Sequence, residues 1–240
     1  MSNTTKLLIN HMFCHLMIIP GAIYGQWWMF LAALAWWYVV AIVSISGGYH
    51  RFYSHSSFEG NKFFEVCVNI LGIFSGAGPA LTWAATHRQH HAYSDTDLDP
   101  HSHIKKGKWS VYVNTWGYDF QIKRRFIKKY LRNPILVHFY KNYFMYNLFI
   151  MVAFFLVDPL LLVFGYCMPV VFAFHGYGLL NVLGHSNGKP TNSWFANLLT
   201  AGEGWHEEHH KKAAHYRIGR EKGQWDPTAW FIEYVMGKKV

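Results

Sequence analysis

The sequence predicts an all-α integral membrane protein, with four transmembrane helices in two hairpins and a cytoplasmic helical cap that gathers histidines. Three observations carry this. Apolar residues make up 52% of the 240 and aromatics 19%, while charged residues are only 15%, against about 25% in soluble domains. The apolar residues are concentrated in long runs. The 16 histidines are clustered rather than scattered.

A helix needs about 20 mostly apolar residues to cross a bilayer. Residues 7–24, 27–46, 143–164 and 166–184 meet that requirement. They pair into two hairpins with very short connections. No Lys or Arg lies in the spans or in these connections, so the positive-inside rule puts both turns away from the cytoplasm. Both termini and the segments 47–142 and 185–240 are then cytoplasmic, and the chain forms one domain, 1–240. A fifth apolar stretch, Phe63 to Ala85, carries Glu65 and is broken by Gly76-Ala77-Gly78-Pro79. Its unbroken part is too short to span and is expected to dip into the interface and return.

The formal net charge is +9. In a membrane protein of this kind, topology accounts for the excess of cations, so no nucleic-acid partner is expected. Cys14, Cys67 and Cys167 form no C-x-x-C pair and read as reduced thiols. No cleavable signal peptide is expected at the N-terminus.

Three histidine groups stand out: His50 with His55, then His87-Arg-Gln-His90-His91, then His206-Glu-Glu-His209-His210. In H-x-x-H-H, positions i, i+3 and i+4 share one helix face, so each triplet is expected to converge on one point. Eight imidazoles exceed the needs of one metal and suit two. Imidazole suits iron, copper, zinc and nickel. The ligands have to meet on one side of the membrane, which is why Phe63–Ala85 is expected to return to the side it left. His185, with Asn181 one turn earlier at the end of the fourth span, is a further polar pair at a costly depth. His11, His15, His101, His103, His138, His175 and His215 read as isolated polar residues.

These residues resemble the membrane fatty-acid desaturase family, its delta-9 acyl-CoA and acyl-lipid branch in particular. The matching segments are Gly48-Tyr-His50-Arg-Phe-Tyr-Ser-His55, Trp83-Ala-Ala-Thr-His87-Arg-Gln-His90-His91, Ser94-Asp-Thr-Asp-Leu-Asp-Pro-His101, Asn181-Val-Leu-Gly-His185 and Gly202-Glu-Gly-Trp-His206-Glu-Glu-His209-His210. They follow the family's order across about Leu31 to Trp230.

The resemblance implies a di-iron centre held by His50, His55, His87, His90, His91, His185, His206, His209 and His210, with Asn181 acting through a bound water. Zinc can replace iron in overexpressed members. The implied reaction uses O2 and two electrons to introduce a cis double bond into a saturated acyl chain. Asp95, Asp97, Asp99, Glu203, Glu207 and Glu208 are candidate partners for the imidazole N–H groups. Trp83, Tyr38 and Ile42 are expected along an acyl tunnel.

Animal acyl-CoA members carry polar residues before the Trp of the second box and Asp before its first His. Here Ala77-Gly78-Pro79 and Thr86 stand there, which leaves acyl-lipid and acyl-CoA substrates both open. No haem, iron–sulfur or dinucleotide signature is present, so a separate electron donor is implied, ferredoxin or cytochrome b5. The basic run Lys105–Lys141 is its candidate dock. The competing reading is a lipid or alkane hydroxylase on a similar histidine frame.

Overall fold

The computed structural model describes residues 1–117, 121–186 and 188–238. Four helices are long and apolar enough to cross a membrane: Asn3–Tyr24, Trp27–Ser54, Pro134–Val157 and Pro159–Leu183. The fold is that of an integral membrane protein. The second hairpin turns earlier than hydropathy places it, at Asp158-Pro159 rather than near Gly165. The cause is local. Asp158 is extended and its carboxylate accepts from the Leu160 amide at 2.7 Å. Pro159 then opens the next helix, where its fixed φ suits the first turn. The third span also starts earlier, because Asn133 caps it and Pro134 begins it.

The third span leaves Leu148, Phe149 and Leu156 more than 60% exposed, a surface suited to lipid. The opposite faces of the spans pack inward, with Trp37, Tyr143 and Tyr166 fully buried. Some polar groups within the bundle bond across helices. The Tyr166 hydroxyl sits between Asn10 at 3.0 Å and Asn147 at 2.8 Å, tying three spans together. Trp37 Nε1 donates to the Leu199 carbonyl at 3.2 Å and fixes the cap to the second span.

From Ala41 to Ser54 the second span winds as a π-helix. The His55 amide donates to the His50 carbonyl at 3.2 Å, an i→i+5 bond. Such segments are rare and favour functional sites. Here the wider turn brings two histidines five residues apart to a ring separation of 4.9 Å. This segment lies hard against the Lys62–Ile73 helix, since a Cβ on Gly48 would fall 2.3 Å from Val68. The fifth apolar stretch is a helix–turn–helix, Lys62–Ile73 followed by Ala80–Tyr93. Gly76 and Gly78 hold φ of +64° and +82° in the turn, a region open to glycine at little cost. The chain reverses there and carries His87–His91 back to the other histidines.

Candidate metal centre

Nine histidines meet in two groups. His50, His55, His87, His91 and His209 form one; His90, His185, His206 and His210 form the other. Within each group the ligand nitrogens all lie within 4.8 Å of one another. Each H-x-x-H-H triplet is therefore split, contrary to the expectation that it converges on one point. His87 and His91 go to the first group and His90 to the second. His206 and His210 go to the second and His209 to the first. In both cases the i, i+4 pair stays together and the i+3 ring, displaced around the helix, reaches the other group. Two helices crossing in this way, Ala80–Tyr93 and His206–Lys211, build both groups at once.

The contacts between rings run from Nε2 to Nε2. His209 faces His50 at 3.0 Å and His91 at 2.8 Å, and His55 faces His87 at 2.9 Å. In the second group His206 faces His185 and His210, both at 3.1 Å. Three rings have their far nitrogens fixed by carboxylates. His90 Nδ1 donates to Asp99 and His185 Nδ1 to Asp95, each at 2.8 Å. His50 Nδ1 lies against the Glu203 carboxylate as an ion-pair contact. A carboxylate accepts only from N–H, so Nδ1 carries a proton in these rings and Nε2 is the atom turned into the group.

Burial, with neighbouring imidazoles next, holds His87, His91, His206 and His209 well below the ordinary imidazole range and His55 and His210 at about 2. These six rings are therefore neutral, each with one nitrogen free of a proton, the form in which imidazole ligates a metal. Two imidazole nitrogens about 2.1 Å from one ion and at right angles stand about 3.0 Å apart. The spacings and the inward Nε2 atoms fit a metal cation in each group.

Of the six acidic residues expected beside the imidazoles, Asp95, Asp99 and Glu203 meet them. Asp97 is exposed and pairs with Lys105 at 3.7 Å. Glu207 pairs with Lys211, and Glu208 with Lys211 and Arg220. Burial pushes the Glu203 carboxyl up, but His50, Arg51 and hydrogen bonds outweigh it and hold the carboxyl at about 2. Burial likewise opposes ionisation of Asp99, and the hydrogen bond and charge of His90 still hold it well below the carboxylate range.

A cavity opens beside the histidines, lined by His50, His87, His90, His185 and His206 together with Trp83, Thr86, Trp116, Tyr177, Leu180 and Asn181. Trp83 stacks on His87 with ring centroids 5.2 Å apart and planes 12° from parallel. Asn181 Nδ2 donates to the Thr115 carbonyl at 2.9 Å. Tyr38 and Ile42 do not line this cavity. The Tyr38 hydroxyl donates to the Leu198 carbonyl, and its ring lies 6.0 Å from Trp225.

Sequence reasoning missed Arg51 and Asp226. Both are fully buried, and Arg51 bonds Glu203 at 3.1 Å, Asp226 at 2.9 Å and the Tyr216 carbonyl at 2.7 Å. Asp226, 175 residues along the chain, carries no spacing signal. Arg51 stands inside the first histidine motif, and an arginine at the end of an apolar span was the available clue.

The family model described as fatty acid desaturase matches residues 25–219. The chain belongs to the fatty acid desaturase family. It is an oxidoreductase acting on fatty acyl chains. It is 30% identical to the sn-1 stearoyl-lipid 9-desaturase of Anabaena variabilis, over 97% of this chain and 89% of the relative. It is 30% identical to the Acyl-CoA C20 Delta5-desaturase of Anemone leveillei, over 86% of this chain and 70% of the relative. With Delta-9 acyl-lipid desaturase 1 of Arabidopsis thaliana it shares 29% identity, over 81% and 68%.

Proposed function

We propose that this desaturase introduces a delta-9-like cis double bond into a saturated acyl chain carried on a lipid or on CoA. Its two metals are iron. One is held by His50, His55, His87, His91 and His209, and the other by His90, His185, His206 and His210, with Asn181 acting through a water. The observation that carries this is the paired set of inward Nε2 atoms bordering a partly apolar cavity. The delta-9 reading rests on the names of two relatives, one of which aligns with 97% of this chain.

Bound in these groups, iron supplies the activation of oxygen needed to break two unactivated C–H bonds. In the balanced reaction the chain loses one hydrogen from each of two adjacent methylenes. O2 becomes two waters, using two electrons and two protons from outside. Asp95, Asp99 and Glu203 hold the Nδ1 atoms of His185, His90 and His50 and so keep their Nε2 atoms turned inward. Trp83, held flat on His87, forms with Trp116, Tyr177 and Leu180 a wall against which methylenes lie and from which water is excluded.

The electrons come from a separate donor, ferredoxin or cytochrome b5, docking on the basic run Lys105–Lys141, of which residues 118–120 lie outside the described residues. The absence of Lys and Arg from the short hairpin turns supports a cytoplasmic site and cytoplasmic termini.

The test is expression of the full chain in a desaturase-deficient host, with gas chromatography–mass spectrometry of lipid-bound and CoA-bound acyl chains. New monounsaturated chains bearing the bond at carbon 9 are expected. Hydroxylated chains without a new double bond would favour the hydroxylase reading and overturn this one.

A further inference from the structure

Away from the histidines, an apolar groove runs between the Lys62–Ile73 helix and the third span. One wall is Val66, Ile70 and Ile73, spaced at i, i+4 and i+7 so that they form a single stripe. The other is Ile135, Phe139, Phe149 and Ile150. From Ile135 to Ile150 a helix rises about 22 Å, more than the roughly 15 Å of hydrocarbon in one leaflet. The polar atoms in the groove serve each other: His138 Nε2 and the Tyr146 hydroxyl are 2.7 Å apart.

The groove leads at one end into a polar pocket of a different character. Pro134 and Ile135 line both. The pocket adds Lys62, Lys129 and Arg132, with Glu65 as its one carboxylate. Glu65 already accepts from the Tyr53 hydroxyl at 3.2 Å and from Asn133 Nδ2 at 2.5 Å. All three cations are exposed. The two flanking helices, Lys62–Ile73 and Pro134–Val157, both start at this pocket, so two positive dipole ends reinforce the cations. Lys129 Nζ also donates to Ser56 Oγ at 2.9 Å, one residue past His55, so the pocket lies on the histidine side of the bundle.

We propose that this groove and pocket bind one anionic diacyl phospholipid, apart from the substrate cavity. One acyl tail lies along Val66, Ile70 and Phe139, and the phosphate headgroup sits among Lys62, Lys129 and Arg132. Charge complementarity selects the occupant. A neutral acyl chain would fill the groove without using the pocket, and a free phosphate would use the pocket without the groove.

The test measures lipid retained by the full-length protein by native mass spectrometry, after reconstitution with phosphatidylglycerol, with phosphatidylcholine or with inorganic phosphate alone. One tightly held phosphatidylglycerol is expected, and phosphatidylcholine is expected to be held more weakly. Each exposed cation near an anionic surface contributes about fivefold in binding, so Lys62→Gln with Arg132→Gln should weaken retention about 25-fold. Ile70→Trp, which leaves the cations in place and fills the groove, should lose the long-chain lipid but keep a short-chain phosphatidylglycerol. Equal retention of the two headgroups would overturn the proposal, as would retention unchanged by both sets of variants or binding of phosphate without lipid. An unchanged size-exclusion profile of the purified full-length variants checks that they fold.

Discussion

The two histidine groups are built from the same pair of crossing helices, yet they are anchored differently. In the five-histidine group the anchored ring, His50, leans on Glu203, and Glu203 belongs to a fully buried ion cluster with Arg51 and Asp226. In the four-histidine group, His90 and His185 lean on Asp99 and Asp95, which come from the short loop after the Ala80–Tyr93 helix and whose other hydrogen bonds stay within residues 95–102. The first group is thus tied into the structure that holds the cap on the membrane bundle. The second is oriented by carboxylates of a single loop, outside that cluster. Damage to the first should appear as lost stability, and damage to the second as lost metal affinity.

The largest effect tests what the groups have in common. His209→Ala in one and His90→Ala in the other should each abolish detectable desaturation in the host lipid assay. Arg51→Met probes the buried cluster next. It leaves Glu203 and Asp226 as buried carboxylates without their cation, which costs about 3–5 kcal/mol. A marked fall in the thermal unfolding midpoint of the purified protein is the expected readout.

Asp99→Ala and Asp95→Ala should lower that midpoint less than Arg51→Met does and weaken metal binding about 10- to 100-fold, measured by competition with a chelator. If they unfold the protein as Arg51→Met does, the contrast between the groups fails. The smallest effect is expected from Asp97→Ala and Glu207→Ala, whose exposed ion pairs contribute at most about 1 kcal/mol. Desaturation should change less than twofold.

Much of this was legible in the sequence. The four spans stand out because lipid-facing helices must be apolar all round. The reversal of the fifth apolar stretch could be read from Gly76 and Gly78 together with the need for histidines to meet. The span limits were less legible, because hydropathy averages across Asp158-Pro159, where capping chemistry rather than polarity ends the helix. Spacing singled out eight of the nine clustered histidines, and the position of His185 at the end of a span the ninth, but neither told how they divide. That depends on the crossing of two helices and on a π-turn between His50 and His55, neither of which has a local signature. The same limit separates Asp95, Asp99 and Glu203 from Asp97, Glu207 and Glu208. All six are acidic residues near a motif, and only the backbone path decides which of them reach an imidazole.

The central claim is two metals in two distinct histidine groups, and metal content per chain tests it most directly. Inductively coupled plasma mass spectrometry on the purified full chain should find two ions in the parent protein. His209→Ala and Asp99→Ala with His90→Ala should each retain about one, because each leaves the other group intact. A parent protein with a single ion, or either variant retaining both, would contradict the account.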